Sequence, residues 1–186
     1  FTLPKTIDED PTFDYMAKTP SSNSPEVDAD GVRRNKHWGA SVVDGQDGFV
    51  YIYGSLLDSE PYNLGRDAYV ARVPLDELEN PAAWQYYAGK GEWADSEAAA
   101  TPIIDSAQQP GLDVSWTTAY KDGRYTVVGK RDGVLGTEVG EWSAPNAIGP
   151  FTYRKLTDLA PFDPTGFTYN AHVHPAVALS NGGMLV

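Results

Sequence analysis

The chain has 186 residues, 41% hydrophobic and 22% charged, which suits one folded domain with a core and excludes a disordered chain. Its 26 acidic and 14 basic residues leave a net charge of −12 at pH 7, which argues against a nucleic-acid partner: no basic stripe exists to displace phosphate counterions. No apolar stretch reaches the roughly 20 residues of a membrane span, and the absence of Cys excludes disulfides and thiolate metal sites while leaving the compartment open.

Residues 1–36 carry little periodicity and read as an irregular lead-in segment. The acidic run Ile7-Asp8-Glu9-Asp10 is too short for a stable helix and is stopped by Pro11. Asp28-Ala29-Asp30-Gly31 has the start of a calcium-loop pattern, but it lacks a third acidic ligand and a closing Glu, so it reads as a turn.

From His37 the pattern turns regular, and one unit is written almost three times. His37-Trp38-Gly39-Ala40-Ser41-Val42-Val43 leads through a Gly-rich turn at Asp44 to Gly48 into Phe49-Val50-Tyr51-Ile52-Tyr53. Asp113 to Tyr120 leads through Lys121-Asp122-Gly123 into Arg124-Tyr125-Thr126-Val127-Val128. The third copy starts at His172-Val173-His174-Pro175, turns at Ser180-Asn181-Gly182-Gly183 and stops inside Met184-Leu185-Val186. Each copy is two alternating runs around a Gly turn, the pattern of a β-hairpin.

Further strands extend the first two units. Ala68 to Val73 is a third strand closed by Pro74, Leu75 to Glu79 makes one helical turn, and Trp84 to Tyr87 is a fourth, outer strand. In the second unit Glu138 to Ala144 and Phe151 to Leu156 play these parts, joined by a turn at Asn146 to Pro150. Alternation is expected to bury Val42, Val50, Ile52, Val70 and Val127 against the neighbouring unit. The turns measure the repeat: Asp44 and Asp122 stand 78 residues apart, Asp122 and Asn181 59.

Repeated antiparallel units of this kind predict an all-β chain with β-propeller architecture, made of two complete four-stranded blades and part of a third. The blades span 37–93, 112–157 and 170–186. Common blades run about 40–50 residues, so these carry long loops, where binding surfaces are built. A chain that stops at Val186 inside an apolar run predicts part of a longer protein, because it would leave an unpaired strand edge.

Trp38-Gly39-Ala40-Ser41-Val42-Val43, Tyr51-Ile52-Tyr53-Gly54, Tyr69-Val70-Ala71-Arg72-Val73-Pro74 and Ala83-Trp84-Gln85-Tyr86-Tyr87 resemble the later blades of a five-bladed propeller family. Trp142-Ser143-Ala144-Pro145, Gly149-Pro150-Phe151 and His172-Val173-His174-Pro175 fit the same pattern. That family is the endo-D-arabinanase-like one (domain of unknown function 4185, glycoside hydrolase family 183). The resemblance covers 37–186. It implies hydrolysis of D-arabinofuranosyl linkages in cell-wall polysaccharide, at an extracellular or cell-surface location. It also implies that the catalytic Asp pair belongs to the first blades, in Gly-Asp type motifs. No matching motif stands in this chain, so the pair is carried onto no residue here.

Within the chain, the starts of the innermost strands are where a propeller gathers its site. Asp113 opens such a strand and is the local candidate for chemistry, as an acid or as an acceptor for a sugar hydroxyl; the alternative is a strand-entry Asp bonded to its own turn. His172 and His174 alternate and share a face, and His37 opens the equivalent strand of the first unit. They are the only three His, suited to hydrogen bonds with hydroxyls; ordinary loop or core histidines are the alternative. Trp38 and Trp116 stand beside these polar residues and are expected to stack a furanose, whereas Trp84, Trp93 and Trp142 are expected to pack blades. The expected substrate-binding set is therefore His37, Trp38, Asp113, Trp116, His172 and His174, with no metal and no cofactor. The expected partner is an arabinan-type polysaccharide, with further blades or a second copy closing the ring. A non-catalytic propeller that binds carbohydrate or protein is the rival reading, since fold does not fix function.

Overall fold

A computed structural model describes Thr19 and residues 35–57, 65–133, 136–159, 171–174, 177, 179, 180 and 185. The acidic run at 7–10, the turn at 28–31, Pro175 and the turn residues 181–183 lie outside the described residues. The described strands form two antiparallel sheets. The first is ordered β1 (Asn35–Asp44), β2 (Phe49–Leu57), β3 (Ala68–Pro74), β4 (Gln85–Gly89) and β5 (Glu92–Ala94). The second is ordered β6 (Leu112–Lys121), β7 (Arg124–Arg131), β8 (Glu138–Ala144) and β9 (Thr152–Asp158). Among the described residues the helical pieces are short 3-10 turns, at Leu75–Glu77, Pro81–Ala83 and Glu97–Ala99. No helix there is long and apolar enough to cross a membrane.

Local chemistry accounts for the hairpins. Between β1 and β2, Asp44 Oδ1 accepts the Gln46 N–H at 2.9 Å and Asp47 Oδ1 accepts the Phe49 N–H at 3.1 Å. Such side-chain-to-backbone bonds are why Asp favours turns. Between β6 and β7 both loop residues are left-handed, Asp122 at φ 53° and Gly123 at φ 75°. An Asp-Gly pair tolerates that geometry, and its twist matches the flanking strands.

The first sheet differs from expectation by one strand. After β4 the chain turns through Gly89, Lys90 and Gly91, all at positive φ, and returns as β5. Trp93 then packs edge-on against Tyr87 at 5.8 Å, so the outer edge carries a fifth strand. Of the third hairpin, the described residues show one bridge, with the His174 N–H donating to Leu185 O at 2.8 Å.

The two sheets face each other across a core built from Tyr53, Val70, Leu112, Trp116, Val127 and Trp142. Full burial of such a side chain is worth about 1.5–3 kcal/mol. On the far face of the first sheet, Val50, Ile52 and Val73 pack with Trp84 and Tyr86. On the far face of the second, Ala119, Val128 and Val139 pack with Val173. The second sheet is thus covered on both sides, by the first sheet and by residues 171–174. This explains why Val127 and Val128, which point to opposite faces, are both fully buried. Val42 corrects the expectation of burial: it is 54% exposed, because β1 is an edge strand and Val42 borders an open groove.

The connection between the sheets is held by its own pairing. Ala68 bridges Ile104 and Arg66 bridges Leu112, while Asp67 Oδ1 accepts both the N–H and hydroxyl of Ser106, at 2.8 and 2.7 Å. A Cβ on Gly111 would lie 2.7 Å from Gly65 Cα, so this crossing needs glycine.

The aromatic core makes stability sensitive to alkali. Burial, with help from nearby carboxylates, raises the Tyr69, Tyr86, Tyr125 and Tyr153 phenols to about 12, and burial raises Tyr53 further. These groups hold their protons in the folded chain and lose them near 10 when unfolded. Their contribution is complete below pH 10 and is lost as pH rises from there towards about 12. Phenolate absorbance and circular dichroism should therefore change together in that window. Phenolate formation near pH 10 with the fold retained would contradict this.

Candidate functional site

Strands β1 and β6 lie side by side at the inner edges of the two sheets. The Ser41 hydroxyl accepts the Thr118 N–H at 2.8 Å and donates to Thr118 O at 3.3 Å. On its other side β6 is tied to the following segment, because Thr117 Oγ1 accepts the Val173 N–H at 2.7 Å. These links span 77 and 56 residues, close to the 78 and 59 that separate the turns. Residues 42–44 and 118–122, at the closing ends of β1 and β6, border a common groove. The two strands therefore run in the same direction, and their starts, with His37 and Asp113, share the opposite end.

Both inner strands are irregular at those starts. The β1–β2 register shifts between Trp38 and Ser41, where Gly39 adopts φ 94°. The β6–β7 register shifts between Leu112 and Trp116. Bulges of this kind re-aim side chains and are over-represented near functional sites.

Inside the β6 bulge Asp113 is fully buried and faces Lys130, with Nζ to Oδ2 at 3.8 Å and both side chains 1% exposed. A buried ion pair is seldom a net source of stability, since desolvation offsets most of the attraction. Its position inside a bulge at the start of an inner strand is what marks Asp113 as a candidate.

The remaining predicted residues divide by exposure. His37 and His174 are exposed and His172 is half-buried, with Val173 between the last two anchored to Thr117. Trp38 is buried: its ring lies 5.3 Å from that of Tyr86, and its indole N–H donates to Glu97 at 3.2 Å. Trp116 is fully buried between the sheets, edge-on to Tyr53 at 6.1 Å. Trp84 and Trp142 are buried in packing clusters, while Trp93 stays partly open and is capped by the Arg72 guanidinium at 4.3 Å from the ring centroid. The structure thus aligns His37 and Asp113 on adjacent strand starts and ties the His172–His174 segment to β6. It keeps Trp38 and Trp116, the two rings expected to stack a furanose, inside the core instead.

Three contributors escape the sequence reading. Lys130 closes the buried run that starts at Tyr125 and is followed by Arg131, so in sequence it reads as an ordinary charge at a strand end and no local signal points to it. Glu97 opens a short 3-10 turn 59 positions from Trp38, and Thr118 differs in no local way from Thr117. Chemically, the exposed imidazoles offer donor and acceptor nitrogens for hydroxyl groups. Among the described residues no three His, Asp or Glu stand close enough to hold a metal ion.

Residues 11–186 match the family model described as Domain of unknown function (DUF5005). No curated protein matches the chain in sequence. Among solved structures, the chain is similar to a GH43_1 enzyme from Xanthomonas citri, in its complex with xylose (16% identity) and in a second structure (17% identity). Each superposition has a TM-score of 0.47 and covers 80% of this chain. The chain spans 39% of the length of those enzyme chains.

Proposed function

We propose that this chain, which belongs to the family described as Domain of unknown function (DUF5005), is part of a carbohydrate-active β-propeller that hydrolyses D-arabinofuranosyl linkages of cell-wall polysaccharide outside the cell. The observation that carries this reading is the side-by-side seating of β1 and β6 through Ser41 and Thr118, with Val173 tied to β6 through Thr117. Successive units joined by their innermost strands are how a propeller assembles its axis.

In this reading His37 and His174, both exposed, bind sugar hydroxyls, and His172 supports them from the same segment. Asp113, held against Lys130, is the one carboxyl assigned to the strand starts. Trp38 and Trp116 form the packed wall behind. Glycoside hydrolysis needs two carboxyl groups across the scissile bond, so the pair is completed by further blades or a second copy. A second reading, a propeller that binds polysaccharide without cleaving it, is favoured by one observation: Asp113 has no exposed surface, and chemistry there requires the bulge to open.

The test is incubation of the whole protein with D-arabinan, L-arabinan and xylan, with products resolved by chromatography and binding measured by calorimetry. Release of oligosaccharides from D-arabinan is expected. His174→Ala should weaken binding about tenfold or more, equivalent to about 1.4 kcal/mol. Binding without release would favour the second reading. Neither binding nor release would sink both.

A further inference from the structure

Tyr51, Arg72 and Gln85 stand opposite one another on β2, β3 and β4. This row meets β1 at Val43, towards the other end of that strand from His37. Alternation puts Arg72 on the same face as the buried Val70, yet Arg72 itself is only part-buried. Its guanidinium lies over the Phe49 ring at 4.4 Å and the Trp93 ring at 4.3 Å. Its Nε–H and an N–H of Nη2 both donate to Gln85 Oε1, at 3.1 and 2.9 Å. Two rings and an amide thus hold the cation in place. Among the described residues no Asp or Glu pairs with it, whereas ion pairs hold Lys130, Arg131, Arg154 and Lys155.

Bonding along the Nε–Nη2 side leaves the Nη1–Nη2 end of the fork unused. Nη1 has no partner among the described residues and is not among the polar atoms buried without one, so it reaches solvent. The same holds for Gln85 Nε2: with Oε1 held by Arg72, the amide nitrogen is the group left over. Both groups are donors, and a guanidinium end is the fork that takes the two oxygens of a carboxylate. The net charge of −12 repels a phosphate dianion more strongly than a carboxylate monoanion. A peptide C-terminus is captured in a nest of free backbone N–H groups, while the backbone around Arg72 is engaged in strand pairing. A carboxylate with further acceptor oxygens beside it, next to a part-exposed Trp93, matches a uronic acid.

We propose that Arg72 and Gln85 bind a uronic-acid unit of a polysaccharide, with its carboxylate across the Nη1–Nη2 end of Arg72 and a second sugar oxygen on Gln85 Nε2. The site goes beyond the function proposed above, does not rest on it and involves no bond cleavage.

Amide NMR of the full chain at fixed ionic strength reads this directly, with the methyl glycosides of glucuronic and galacturonic acid as probes. Titration to about 50 mM captures a Kd near roughly 5 mM. At least one of the two should shift the amides of Phe49, Arg72 and Gln85 and the indole N–H of Trp93, while methyl glucoside and methyl galactoside should not. Arg72→Lys keeps the charge and removes the fork; it should weaken binding about tenfold, or about 1.4 kcal/mol. Gln85→Glu sets a carboxylate against Arg72; it should melt no lower than the parent chain and abolish the shifts. Silence with both acidic sugars would overturn the proposal, as would equal shifts from the neutral ones or full affinity in either variant. Equal or tighter binding of inorganic phosphate or trialanine at these residues would assign the site to another anion and overturn it too.

Discussion

Lys130→Met is expected to destabilise the chain by about 3–5 kcal/mol, because it leaves the Asp113 carboxylate buried without its cation. Both side chains are 1% exposed, so water does not take the place of the lost partner. Asp113→Asn should also destabilise, and the double variant should lose less than the sum of the two single losses. Chemical denaturation of all four proteins, analysed as a double-mutant cycle, measures that coupling. Additive losses would mean that the two groups do not interact. Against a total stability of about 5–15 kcal/mol for an ordinary domain, the loss in Lys130→Met is a large share of the whole. An assay of Asp113 as a reacting group is accordingly paired with a denaturation curve of the same variant.

Trp116→Ala is expected to cost about 3–5 kcal/mol, the range for deleting a large aromatic from a closed core. The indole is fully buried and lies edge-on to Tyr53. Trp116→Phe should retain most of the stability, since it keeps an aromatic filling. The pair of variants separates packing from sugar stacking. A packing role lowers the denaturation midpoint and leaves the oligosaccharide affinity of the folded fraction unchanged. A stacking role would do the reverse, with affinity falling at an unchanged midpoint.

What the chain makes legible from its residues alone is the set of features governed by near neighbours. The alternation in Phe49 to Tyr53 and Arg124 to Val128 fixes which residues share a strand face, and Asp122-Gly123 accepts the left-handed turn between β6 and β7. The equivalence of the first two hairpins is also readable, and the 77-residue Ser41–Thr118 link reproduces the 78-residue spacing of their turns. The short β5 was not readable, because it depends on Trp93 finding Tyr87 after a three-residue turn.

Burial of charge and exposure of apolar surface belong to the assembled sheets. Val42 and Val50 look alike in sequence, yet one borders an open groove and the other is enclosed beneath Trp84 and Tyr86. Lys130 is enclosed because its sheet is covered on both faces, by elements far away along the chain. Trp116 looked like a ring waiting for a sugar, and the opposing sheet closes over it. A strand's alternation says which residues point the same way. What they meet there is set by segments tens of residues distant, and that choice decides whether a side chain fills a core or greets a ligand.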